Sequence, residues 1–78
     1  MNPIFKSYDR VIIQDYDCYG TKYSGMRGIV IGLYNTHIIQ SEEELYRYTI
    51  LLDMPIEVEG FGSMKGVTVP EHRLSNAE

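Results

Sequence analysis

Asp15-Tyr16-Asp17-Cys18-Tyr19-Gly20 opens like a calcium loop, D-x-D-x-x-G. Such a loop also needs an oxygen ligand at its fifth position and a bidentate carboxylate at its twelfth. Here those positions hold Tyr19 and Met26, so the cage cannot close and the segment reads as a turn. Cys18, His37 and His72 are the only thiol and imidazole groups, and they stand isolated. Without C-x-x-C or H-x-x-x-H spacing they predict neither a zinc site nor a Cys/His nucleophile pair. No glycine-rich loop joins a strand to a helix, because no helical pattern is visible to open one. The expectation is a chain with no catalytic residues, no metal and no cofactor.

The tyrosines and carboxylates carry the more informative signal. Tyr16, Asp17, Tyr19 and Tyr23 share one turn-rich stretch, Tyr8 stands just before the first expected strand, and Glu42, Glu43 and Glu44 form an acidic run. Tyrosine joins an apolar ring to a polar tip, which suits an interface and equally suits a half-buried rim. These seven residues, Tyr8 aside, are the expected partner-binding set: acid plus tyrosine makes a docking face for a basic protein. The competing reading is structural. Two or more of the tyrosines close the open end of a barrel, and the glutamates form a solvated hairpin tip that discourages edge-to-edge pairing.

The 78 residues suffice for one domain with a small core, which buries roughly 60–65% of the surface exposed by the unfolded chain. Apolar residues make up 44% and charged residues 23%, a globular balance. A single cysteine excludes an internal disulfide. No apolar run reaches the length of a signal or membrane segment, so a cytoplasmic protein is expected. The net charge of −4, with basic residues scattered singly, opposes phosphate-backbone binding.

Elements that could position these groups follow from hydrophobic spacing. Residues 9–14 hold the β-branched run Val11-Ile12-Ile13, predicting a first strand. Gly25-Met26-Arg27-Gly28-Ile29-Val30-Ile31-Gly32 is a tight turn feeding a second strand over 27–34, with a bend or bulge at Gly32. Tyr46, Tyr48, Ile50 and Leu52 alternate onto one face of a third strand, which Asp53-Met54-Pro55 should interrupt. Ile56-Glu57-Val58-Glu59 alternates again, residues 60–66 form a glycine-rich connection, and Val67-Thr68-Val69 is a further strand. Pro70 suits the start of a single 3₁₀ turn, after which Leu74 returns to the core. Ser41 and Glu44 fit a capping box, yet the following residues are strand-like, so an acidic hairpin tip is preferred there. Residues 1–7 read as a flexible segment, 8–75 as one domain and 76–78 as a tail.

Gly25-x-x-Gly28-x-Val30 resembles the glycine-valine core of KOW-type barrels, and Tyr48-Thr49-Ile50-Leu51-Leu52-Asp53 resembles the strand that pairs with it. The order of elements from Asp9 to Leu74 looks like an SH3-like barrel. Gly28-x-Val30-x-x-Leu33 and Pro70-Glu71-His72-Arg73-Leu74 are also similar to the small prophage YorP-type SH3-fold proteins. The resemblance implies a phage or prophage accessory protein, acting in the host cytoplasm, and implies no activity. Asp15-Tyr16-Asp17-Cys18-Tyr19 is similar in flavour to the tyrosine-acid loop of peptide-binding SH3 domains. The chain lacks tryptophan, however, and has Glu71-His72-Arg73 where that groove expects Asn-Tyr.

The sequence thus predicts an all-β, five-stranded SH3-like barrel with one 3₁₀ turn, acting as a non-catalytic module for a protein partner. A KOW-like nucleic-acid or ribosome-associated module and a self-associating structural subunit are the alternatives.

Overall fold

The structure is a computed structural model describing residues 4–18, 20–35 and 46–77. The chain is all-β. Its strands are β1 (Arg10–Ile13), β2 (Asp17–Cys18), β3 (Thr21–Lys22), β4 (Arg27–Asn35), β5 (Tyr46–Val58), β6 (Gly62–Pro70) and β7 (Leu74–Asn76), with a 3₁₀ turn at Glu71–Arg73. Five strands form one antiparallel sheet in the order β6-β5-β4-β1-β7, while β2 and β3 make a separate hairpin. This is compatible with a small barrel-like fold. Among the described residues no helix is long and apolar enough to cross a membrane.

The β-branched run expected as a strand is β1: Val11 and Ile13 are fully buried and Ile12 half-buried, while Arg10 faces out. Tyr48, Ile50 and Leu52 of β5 bury the face predicted for them, joined by Val30 of β4, Val67 and Val69 of β6, and Leu74 beyond the 3₁₀ turn. Pro70 caps that turn in an extended conformation, where a missing N–H costs nothing. Side chains from the five strands of the sheet meet in one cluster and supply most of the apolar burial.

The two leading glycines act for different reasons. Gly25 has φ +87° and turns the chain into β4, a conformation that L side chains rarely adopt. Gly28 is needed for close approach. A Cβ there would lie 2.4 Å from the Leu51 carbonyl oxygen and 2.6 Å from Cγ2 of Ile50. The β4–β5 register slips between Val30 and Gly32, leaving Ile31 as the extra residue of a bulge one position before the expected bend.

The expected break at Asp53-Met54-Pro55 is a bend instead of an end. One strand, β5, runs through to Val58. Its register with β6 passes from Leu51↔Gly66 to Ile56↔Met64, so Leu52 to Pro55 stand opposite Lys65 alone. A bulge accommodates proline because the ladder is already interrupted there. Beyond it β5 and β6 form a short arm of three pairs, ending in a turn closed by the Phe61 amide on the Val58 carbonyl at 2.9 Å. Gly60 and Gly62 take φ +85° and +83° on either side of Phe61, so the residues expected as a connection are a tight turn and a strand.

Residues before β1 are tied to the sheet. Tyr8 N–H donates to the Val30 carbonyl at 2.6 Å, and Phe5 packs edge-on against Tyr48 with ring centroids 5.4 Å apart. Tyr48 in turn donates to the Glu71 carboxylate and accepts the Phe5 amide, while Ile4 N–H donates to the same carboxylate.

Candidate functional site

The tyrosine loop is built as a hairpin. Asp17 pairs with Lys22 and Cys18 with Thr21, and Gly20 at φ +78° makes the turn between them. At its base Tyr23 N–H donates to the Tyr16 carbonyl and Gly25 N–H to the Ile13 carbonyl, joining the hairpin to β1. Tyr23 is only 5% exposed and belongs to the main core, so its ring is not offered at the surface. Tyr16 lies half-buried 6.1 Å from the Tyr23 ring, and its hydroxyl donates to the Thr68 carbonyl on β6 at 3.1 Å. This contact bridges the hairpin to an outer strand of the sheet. The structure therefore brings Tyr16 and Tyr23 together as closing elements of the fold, while Asp17 remains exposed. Tyr19, Glu42, Glu43 and Glu44 lie outside the described residues, as does the expected acidic tip that holds the three glutamates.

The calcium-like segment is occupied by the hairpin ladder, with Asp15 at φ +49° turning the chain ahead of it. Among the described residues no three His, Cys, Asp or Glu side chains group to hold a metal ion. His72 is exposed in the 3₁₀ turn, and His37 lies outside the described residues.

Spacing did not single out the most exposed apolar surface on the sheet. Met54 is 76% exposed at the β5 bend, and Phe61 is 70% exposed at the tip of the arm. Beside the bend lies a groove of about 320 Å³ lined by Gly25, Met26, Arg27, Asp53, Met54 and Ile56. Two thioethers make it soft and able to fit varied shapes. Asp53 on its rim pairs with Arg10 at 3.9 Å, both side chains being well exposed. Glu57 and Glu59 are exposed near the arm tip, and Arg27 is exposed at the groove. The available signal was local: Phe61 stands between two glycines, and Met54 stands before a proline. An apolar side chain fixed in a turn has no core to enter.

Tyr48 has a displaced titration. Burial, followed by its hydrogen bond to Glu71, pushes the phenol up to about 12. The ring is fully buried in the core, so this proton serves the fold.

No known protein family, characterised protein or solved structure matches this chain.

Proposed function

We propose that this chain is a non-catalytic binding module that docks on a protein. The observation that carries the reading is the exposure of Met54 and Phe61 on the bent β5–β6 arm of a chain with little apolar core to spare. Large apolar groups held in water at fixed positions mark contact sites when they line a groove or cap a rigid turn. Acidic groups flank them at Glu57 and Glu59, which favours a partner with basic residues around an apolar centre.

The tyrosine-acid face enters this reading in altered form. Asp17 supplies charge at the surface of the hairpin, and Tyr16 supports that surface from beneath. Tyr19 and the Glu42–Glu44 run extend the proposal to a second contact region. A five-stranded SH3-like barrel, with the similarity to small prophage YorP-type proteins, makes a phage or prophage accessory role in the host cytoplasm natural.

Capture of partners from a nuclease-treated bacterial lysate by the tagged chain tests this. A stoichiometric protein band that survives nuclease and moderate salt supports docking on a protein. Capture that vanishes with nuclease supports a KOW-like nucleic-acid module instead.

A further inference from the structure

Phe61 and the Met26/Met54 groove have the shapes of a knob and a hole, the knob at the tip of the arm and the hole at its base, between the β5 bend and the start of β4. Phe61 sits between two glycines in left-handed conformations, and its amide is bonded to Val58, so its outward position is set before any partner arrives. An apolar cavity of about 150 Å³ already holds benzene. A groove of about 320 Å³ therefore admits a phenyl ring. Knob and hole are separated by two strand steps from Ile56 to Val58 and the turn, roughly 10 Å. A chain cannot place Phe61 in its own groove across a rigid two-stranded arm. A second copy can.

Charge favours the same occupant. Glu57 and Glu59 lie beside the knob, and Arg27 stands at the hole, where the acidic lining residue, Asp53, is already paired with Arg10. When two arms cross antiparallel, the acidic side of each tip meets Arg27 at the groove of the other copy. The same crossing makes both insertions at once, since a two-fold interface repeats every contact.

We infer that this chain forms a closed two-fold dimer in which Phe61 of each copy enters the Met26/Met54 groove of the other. The inference rests on the reading of the arm as a binding surface: a second copy covers Phe61 and the groove weakly until the docking partner displaces it. Two short arms bury little area, which places the dimer among weak, reversible complexes.

Sedimentation velocity of the full chain between about 5 and 500 µM tests it, since weak complexes dissociate across that range. The expected result is a shift from monomer toward dimer with no larger species. Phe61→Ser and Met54→Lys each move the midpoint up by about tenfold or more, as loss of a buried anchor does. Both side chains are exposed, so neither change disturbs the core. Arg27→Glu or Glu59→Arg alone weakens the dimer, and the two together restore it. A monomer throughout, a dimer indifferent to both apolar variants, or a ladder of larger species overturns the inference. If the chain stays monomeric while Phe61→Ser still abolishes capture of another protein, the dimer fails and docking stands. If Phe61→Ser changes neither assay, both readings fail.

Discussion

The Tyr48 hydroxyl donates its proton to Glu71 from the centre of the core, joining β5 to the 3₁₀ turn. The same oxygen accepts the Phe5 amide at 3.3 Å, so one phenol ties together three segments distant in sequence. Tyr48→Phe keeps the ring and removes both bonds. It leaves the Glu71 carboxylate and the Phe5 amide short of a partner, which costs about 1–3 kcal/mol. The midpoint of urea unfolding should fall accordingly with an unchanged slope.

Burial of the same phenol, followed by its bond to Glu71, gives a pH dependence with a definite sign. Tyr48 titrates near 10 in the unfolded chain and at about 12 when folded. Its contribution is therefore complete below pH 10 and is lost as pH rises through 12, because only the unfolded chain releases the proton between those values. Unfolding free energy measured across that window should decline, and the decline should be shallower in Tyr48→Phe.

Gly28→Ala should destabilise the chain more than Gly25→Ala. The first forces a methyl against the Leu51 backbone, costing about 3 kcal/mol or more, since a carbonyl cannot move aside as a flexible side chain can. The second meets nothing within 4 Å and costs only the strain of its positive φ, about 1–2 kcal/mol. Thermal unfolding of the two variants side by side gives the order.

The contrast between these glycines shows how far the sequence was legible. The spacing Gly25-x-x-Gly28 pointed to a tight turn feeding a bent strand, yet nothing local says that Gly28 serves a close approach. Alternation over Tyr46–Leu52 gave the buried face, because a period of two depends only on neighbours. The roles of Tyr16 and Tyr23 depended on where β6 lies, some fifty residues on, and composition alone left an interface and a barrel rim both open for them. The arm was hidden for a similar reason. Met54-Pro55 reads as the end of a strand unless the opposing strand is known to accept a bulge.

Tyr16→Phe removes the hydroxyl that reaches Thr68 and should loosen the β2–β3 hairpin from β6. The expected cost is about 1 kcal/mol. Amide exchange should speed up in the hairpin and along the Thr68 side of β6 while the β1–β4 ladder stays protected. Tyr23→Ala, by contrast, opens a core cavity and costs about 3–5 kcal/mol.

The most direct test of the docking account compares two surfaces in one capture experiment. Wild type, Phe61→Ser and Asp17→Lys are each tagged, checked for unchanged unfolding midpoints, and used to draw proteins from nuclease-treated lysate. The account predicts a stoichiometric partner with wild type, its loss with Phe61→Ser, and at most a partial loss with Asp17→Lys. A partner retained in full by Phe61→Ser contradicts it, and loss confined to Asp17→Lys moves the contact to the tyrosine hairpin.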